Sequence, residues 1–511
     1  MSTHPGPDQN ALERGRAGAY TRRRTGGKAK PVETLLDRAV NLIEQAGASY
    51  GDIRLRRDRK ESIAVKNGRP DHIARDSSAG FGVRVLVDGA WGFFASHRLE
   101  DAAVDEVVRE AVAIARSSAR LRAEPVRLAP QGPARGRYET PHRQDPFAVP
   151  LETKLALLVR ASEAMKGPHL KLAEAFFSAF ETRQHFVSTE GARIEQRIVQ
   201  AGGGIAATAI SGGDLQVRSY PNSFRGNFAT AGWEYVEGLD LAGEAPRVAE
   251  EAERLLAAPA LPEGRRTLIL DGGQLALQVH ESCGHPIELD RVLGMELSYA
   301  GDSFLTLEKL GSFRYGSAEV NIVADATAPG GLGTFGWDDE GVPAQRTPIV
   351  EAGVFVGYLS SRETAPAIGR ASSGAMRAAG WDRIPLVRMT NINLLPGRAG
   401  TLDDLLADTP DGLLLQTNRS WSIDQKRLNF QFGVEMCREI KGGRPGQVYR
   451  NATYTGITPE FWGACDAVCG PAAWRLWGTP NCGKGEPGQT ARVGHGVAPA
   501  RFRNVRVGVK A

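Results

Sequence analysis

The sequence predicts an α+β protein: an N-terminal helix and antiparallel-sheet domain, then a strand-rich C-terminal domain built around one short polar helix. Three observations predict it. The first hundred ordered residues alternate between the 3.6-residue period of a helix and the two-residue period of a strand. Tight-turn dipeptides punctuate the strand-like runs. The second half is dominated by short β-branched runs that lack helical spacing.

Residues 1–31 hold seven Lys/Arg against Asp8 and Glu13, a net +5, and read as a disordered basic leader. Arg22-Arg23-Arg24 precedes Gly26-Gly27-Lys28 and no apolar stretch, so the leader is not read as an export signal. A helix begins near Glu33 on Leu35, Leu36, Ala39, Leu42 and Ile43 and stops at Gly47. Ile53 and Leu55 then alternate with arginines, and Ile63-Ala64-Val65 leads into the turn Asn67-Gly68. A second hairpin runs from Phe81 to Val87, turns at Asp88-Gly89 and returns through Trp91-Gly92-Phe93-Phe94. Leu99 to Ser117 is an amphipathic helix on Ala103, Val107, Val108, Ala111 and Ile114.

Six prolines from Pro125 to Pro150 mark an extended connection over about 123–150. A helix follows from Leu151 to Met165. Strands follow to about Tyr220, with Gly202-Gly203-Gly204 and Gly212-Gly213 as breaks, and then a helix from about Pro246 to Leu256. The main boundary is placed near residue 258, giving an N-terminal domain over 32–258 and a C-terminal domain over 259–511. Thr267 to Leu270 is a short buried strand, and Asp271 is a cap for the helix that carries His280. Further strands are expected at 320–323, 354–359, 386–394, 412–416 and 502–509.

Charged residues at 24% and hydrophobic residues at 41% are globular values, so a core is affordable and global disorder is excluded. No apolar run approaches the roughly 18 residues of a membrane span. The whole chain carries +4, so residues after the leader sum to about −1 and give no basic body for nucleic acid. Five cysteines, an odd number in a long chain, point to a reducing compartment and place the protein in the cytoplasm.

The chemistry concentrates in His280-Glu281-Ser282-Cys283-Gly284-His285. Two imidazoles and one carboxylate are the minimum set for holding a metal ion and moving a proton beside it. The histidines are five apart, and in a regular α-helix five residues turn about 500°, leaving the rings about 140° apart. Three readings stand: a structural pair, a helix that ends at Gly284, or a π-type turn that stacks both rings on one face. Candidates for a third ligand are Cys283, Glu288, Asp290, Cys465, Cys469, Cys482 and His495. Cys465 and Cys469, four apart, suit one helix face better than a zinc knuckle. Gly331-Leu332-Gly333-Thr334-Phe335-Gly336 matches a dinucleotide-binding pattern, but the acidic turn Trp337-Asp338-Asp339-Glu340 follows where a helix is required, so it reads as a flexible loop near the site.

Four ordered motifs resemble one family, the TldD/PmbA proteins, and within it the metal-bearing TldD type. His280 to Arg291 resembles the family's HExxxH segment, Asp338 to Gly341 its DDEG loop, Arg388 to Asn391 its RMTN segment, and Cys482-Gly483-Lys484 with Gly488-Gln489 its cysteine loop. Asp52-Ile53-Arg54 and the Gly80 to Phe94 hairpin extend the likeness over nearly everything after residue 32. The resemblance implies a zinc-dependent metallopeptidase acting on peptides or unfolded segments, with one Zn²⁺ per chain held by His280, His285 and Cys482 and with Glu281 as general base. It implies supporting or substrate-contacting roles for Glu288, Asp290, Asp339, Glu340 and Lys484, an enclosed active-site cavity, and a dimer with a second copy or with a metal-free paralogue. His495 has no expected counterpart. The alternative from a different class is a non-catalytic peptide-binding or assembly subunit of such a complex. The paired histidines, which metal-free paralogues lack, separate the two.

Overall fold

The computed structural model describes residues 32–508 apart from Phe224. The leader expected over 1–31 lies outside the described residues. Helix α1, Val32–Gln45, buries Leu35, Leu36, Ala39 and Ile43. Strand β1, Tyr50–Lys66, turns at Asn67-Gly68 into β2, Arg69–Val87, which turns at Asp88-Gly89 into β3, Ala90–Ser96. Both turn pairs have left-handed backbone, with φ of 48° and 73° at the first and 50° and 72° at the second. Asn, Asp and Gly adopt that region most readily. The two expected hairpins are therefore one meander sharing a 19-residue central strand. Helix α2, Asp101–Ala119, covers it and buries Ala103, Val107 and Ala111 in a core shared with α1.

The proline-rich connection is mostly irregular but contains β4, Arg135–Glu139. Helix α3, Leu151–Ala164, precedes β5, Leu170–Ser188, β6, Arg193–Ser211, β7, Asp214–Tyr220, and β8, Asn227–Ala229. Among the described residues these strands form one sheet in the order β3-β2-β1-β5-β6-β4, with β7 and β8 also on β6. The expected break at Gly202 to Gly204 is corrected: all three lie inside β6. Their glycines serve close approach. A Cβ on Gly202 would stand 2.2 Å from the Asn227 carbonyl oxygen and one on Gly203 would stand 2.3 Å from that of Phe176. Gly212-Gly213 is the break, between β6 and β7. Helices α4, Trp233–Glu237, and α5, Leu241–Ala257, close this half, with α5 starting earlier than expected because Asp240 caps it.

The second half opens with β9, Gly264–Leu270, which lies in a seven-stranded sheet between Asp411–Ile423 and Ala500–Val507. Asp411–Ile423 also pairs with Asn429–Lys441, so the sheet closes on itself. The expected strand over 386–394 is broken: only Leu386–Val387 and Ile392–Leu394 are extended, and Arg388 to Asn391 connect them. Helix α6, Gly272–Val279, follows β9 directly, capped by Asp271 accepting from the Gln274 backbone N–H at 2.8 Å. It is buried nearly all round. Its polar residues Gln274 and Gln278, one turn apart, are linked through the Tyr454 hydroxyl, which accepts from Gln274 Nε2 at 2.8 Å and donates to Gln278 Oε1 at 2.9 Å.

A candidate metal centre on a π turn

Helix α6 does not continue as an α-helix through the motif. Residues His280–Gly284 form a π turn, and the His285 N–H donates to the His280 carbonyl at 3.2 Å, five residues back. Of the three readings left open by spacing, the structure adopts the third. Local chemistry explains the register. Pro286 has no N–H, so the Ser282 carbonyl has no partner four residues on. It accepts instead from the Tyr315 hydroxyl at 2.9 Å. Gly284 lets Met389 pass: a Cβ there would stand 2.3 Å from the Met389 sulfur. The widened turn places the His280 and His285 rings with centroids 5.0 Å apart and planes at 87°.

The third donor comes from almost two hundred residues away. Cys482 lies on Arg475–Lys484, paired in an antiparallel ribbon with Gln489–Val497. Its sulfur stands 3.7 Å from Nε2 of His285. One nitrogen from each histidine and this sulfur all lie within 4.8 Å of one another, and the three side chains are buried. Arg388 fixes the loop by donating from Nη2 to the Cys482 carbonyl at 2.6 Å.

The remaining ring nitrogens are turned outward and held. His285 Nδ1 meets Glu288 Oε2 at 3.0 Å, and His280 Nδ1 meets Nε2 of His495 at 2.8 Å. Histidines that bind a metal through one nitrogen characteristically engage the other in this way. A neutral His280 with Nε2 free carries its proton on Nδ1 and donates it to His495. Burial, then the neighbouring His280, hold His495 well below the ordinary histidine range, in the neutral form that can accept. Burial opposes ionisation of Cys482, but His280 and His285, when protonated, and Arg388 outweigh it and draw the thiol well below its ordinary value. A thiolate, two imidazoles and a polar cavity beside them are the donor chemistry of a zinc site with an open position.

That cavity, of about 240 Å³, is lined by His280, Glu281, His285, Arg427, Trp477 and Cys482 among others. Glu281 follows His280 directly, and Arg427 Nη1 donates to its Oε2. Outside the three candidate donors, Lys484 Nζ donates to Asp290 Oδ1 at 2.6 Å and stands 3.6 Å from Glu288. Glu288, Asp290 and Lys484 thus form a charged layer behind His285.

Asp339 and Glu340, expected in supporting or substrate-contacting roles, have their polar contacts with the first sheet and its neighbours. Asp339 accepts from Gln184 Nε2 at 2.7 Å and the Ala378 N–H at 2.6 Å and stands 3.6 Å from Arg54. Glu340 pairs with Arg84 at 3.2 Å. Both tie the C-terminal half to β1, β2 and β5. Cys283 is buried, with its thiol pushed up to about 12 by desolvation. Cys465 and Cys469 are also buried thiols, and Cys469 donates to the Thr401 carbonyl at 3.3 Å. The Gly331 to Gly336 loop is buried, packed and hydrogen-bonded, with the Gly333 N–H on Asn391 at 2.9 Å.

The PmbA/TldA metallopeptidase family matches in three parts: its domain 1 over residues 51–115, its central domain over 144–258 and its C-terminal domain over 263–508. The chain belongs to this family. Among its relatives in the family, a metalloprotease of Methanothermobacter thermautotrophicus is 31% identical over 459 residues, 90% of this chain and 95% of the relative. A metalloprotease of Methanocaldococcus jannaschii is 30% identical over 463 residues, 90% and 97% of the two chains. In fold, the chain is similar to a Thermotoga maritima protein described as a candidate modulator of a DNA gyrase, with a TM-score of 0.72 at 18% identity over 93% of this chain and 100% of that one. It is also similar to TldE from Thermococcus kodakarensis, with a TM-score of 0.68 at 15% identity over 93% and 99%.

Proposed function

We propose that this family member is a zinc-dependent metalloprotease that hydrolyses peptide bonds in peptides or unfolded segments, with His280, His285 and Cys482 holding one ion and Glu281 acting as general base. The single observation that carries the reading is the convergence of three buried donor atoms within 4.8 Å beside a cavity that also contains Glu281. The names of the relatives, metalloproteases, support it. When bound, the ion would supply a Lewis acid for water and for developing negative charge on a scissile carbonyl.

The chain's own residues do the rest. Glu288 and His495 orient the imidazoles and fix their tautomers. Glu281 borders the same cavity as the ligands and is the group placed to take a proton from water and return it to the leaving amine. Arg427 fixes the Glu281 carboxylate in that position. The buried donors exclude bulk solvent from the proton-transfer path.

A donor set that opens on a cavity containing a carboxylate suits a catalytic site better than a structural one, which argues against the non-catalytic alternative. Assembly as a dimer, with a second copy or a metal-free paralogue, is part of the proposal. Among the described residues no helix is long and apolar enough to cross a membrane. Five free, buried thiols suit the reducing cytoplasm we propose as its location. The test is Glu281→Gln. The variant keeps about one zinc per chain and loses hydrolysis by about 100-fold or more. Full turnover in the zinc-loaded variant refutes the role of Glu281.

A further inference from the structure

The ribbon that carries Cys482 has a second side. Cys482 pairs with Ala491, and successive strand residues face opposite sides, so Arg492 points away from the metal cavity. Its guanidinium lies 4.7 Å over the Phe180 ring and donates from Nε to Gln200 Oε1. Arg377 reaches the same small pocket, 5.6 Å over Phe335, and donates to the Met389 carbonyl at 2.9 Å. Among the described residues neither guanidinium stands in an ion pair; their partners are a carbonyl, an amide oxygen and two aromatic faces.

The other charges around this pocket are already matched. Arg56 pairs with Asp58 at 2.7 Å. Asp338 accepts from the backbone N–H groups of Glu340, Val342 and Met376. Asp339 is taken by Gln184, Ala378 and Arg54. Two guanidiniums facing one small space, each outside any ion pair, are costly to bury even with Asp58 and Asp339 nearby, and an incoming anion lowers the cost. Desolvation, then the neighbouring arginines, push Arg377 down to about 9 against the opposing pull of Asp339, and desolvation and Arg56 push Arg492 down to about 10 against that of Asp58. The space is about 70 Å³, enough for a carboxylate and too small for a nucleobase.

This pocket and the metal cavity border a common groove. A groove of about 880 Å³ along β1 and β5 shares Arg56 and Arg492 with the pocket, and Pro480 and Asn481 with the metal cavity. The groove is itself basic: Arg59, Lys60, Arg225 and Arg383 join Arg56 and Arg492 against Asp58, Glu181 and Asp382. Glu181 is already held by Arg59, Arg183 and Arg197.

We propose that the Arg377–Arg492 pocket is a specificity subsite for a peptide carboxylate, and that the substrates of this chain are acidic peptides seated along the basic groove. The inference rests on the peptidase reading and names its substrate class. A side-chain carboxylate and a C-terminal carboxylate share the required chemistry.

The test uses the zinc-loaded Glu281→Gln protein, which binds without turnover, and matched labelled peptides in fluorescence anisotropy. One pair differs by Glu against Gln and another by a C-terminal acid against its amide. The acidic member of at least one pair is expected to bind about 10- to 100-fold tighter. That preference is expected to shrink about tenfold on Arg492→Gln or Arg377→Gln in the same background, and to weaken with salt. Dependence on Glu assigns the side chain, and dependence on the free acid assigns the C-terminus. Indifference to both changes overturns the proposal, as does displacement of the acidic peptide by a duplex DNA oligonucleotide at comparable concentration. The peptide comparison in the unaltered pocket decides the question even if an arginine variant melts early. Wild-type protein that cleaves acidic and neutral peptides equally well sinks the inference and leaves the peptidase reading standing. Tight binding of the acidic peptide without cleavage by zinc-loaded wild type does the reverse.

Discussion

Replacing Glu288 with Gln tests whether the layer behind the ligands sets metal affinity. Glu288 Oε2 lies 3.0 Å from Nδ1 of His285, and Glu288 is 0% exposed. The substitution keeps the shape and leaves an oxygen able to accept from Nδ1, but it removes the negative charge that makes the imidazole a stronger donor. It also leaves Lys484 and Arg388, at 3.6 and 3.9 Å from that carboxylate, facing a neutral amide. Both effects disfavour a dication. Loss of one such outer partner weakens zinc binding about 10- to 100-fold, and because the amide oxygen survives we expect the lower end, about tenfold or 1.4 kcal/mol. Competition with a chromophoric chelator at fixed pH reads the shift directly. Lys484 keeps its 2.6 Å bond to Asp290, so the fold is expected to survive, and a melting curve checks it. An unchanged chelator midpoint in a properly folded variant refutes the argument that Glu288 acts through His285.

Three further outcomes follow from the same geometry. Gly284→Ala places a methyl 2.3 Å from the sulfur of the fully buried Met389, so either that side chain or the π turn must move. We expect a loss of about 1–3 kcal/mol in stability together with weaker zinc binding, measured by denaturant unfolding and chelator competition; no change in either contradicts the close-approach argument. Arg427→Ala frees the Glu281 carboxylate and is expected to lower kcat about tenfold or more at unchanged zinc content, read by steady-state kinetics beside metal analysis. Burial opposes ionisation of Glu181, but Arg197, Arg59 and Arg183 outweigh it and lower its pKa from 4.5 to about 2. A depressed carboxyl contributes stability that is complete above pH 4.5 and is lost as the pH falls toward 2. Glu181→Gln should therefore flatten the acid limb of the stability profile in that window, and an unaltered limb would count against the arginine cluster.

The N-terminal fold was largely legible because its turns are chemical. Asn67-Gly68 and Asp88-Gly89 favour left-handed backbone, and the runs at Ile53 to Leu55 and Phe81 to Val87 carry the strand signal beside them. Gly202 to Gly204 misled for an equally physical reason. Glycine marks both a chain break and a place where another backbone passes, and only the fold shows that Asn227 and Phe176 pass here. Strand β4 was hidden because it pairs along its edge within a proline-rich stretch.

At the site, the two histidines and the glutamate were visible in the local motif. The π register was one of three open readings, since it depends on Tyr315, thirty-three residues from the Ser282 carbonyl it satisfies. Cys482 stood among seven possible third ligands and was favoured by family resemblance, because convergence across almost two hundred residues leaves no periodic trace. His495 and Arg427 were not assigned roles. A signal for His495 existed in its flanking glycines: a Cβ at Gly494 would stand 2.2 Å from Asn391 Oδ1 and one at Gly496 would stand 1.9 Å from Trp474, so the ribbon is pressed against the core there. Arg427 lies at a positive φ of 64° in a turn, where arginine has no characteristic signature. Asp339 and Glu340 carry no local sign of their partners, which are the arginines of the first sheet.

The most direct measurement is zinc K-edge X-ray absorption on the purified, zinc-loaded chain. The account predicts one zinc per chain with two imidazole nitrogens and one sulfur in its shell, from His280, His285 and Cys482, and a sulfur contribution that disappears in Cys482→Ser. A stoichiometric zinc with no sulfur neighbour, or a spectrum indifferent to that substitution, contradicts it.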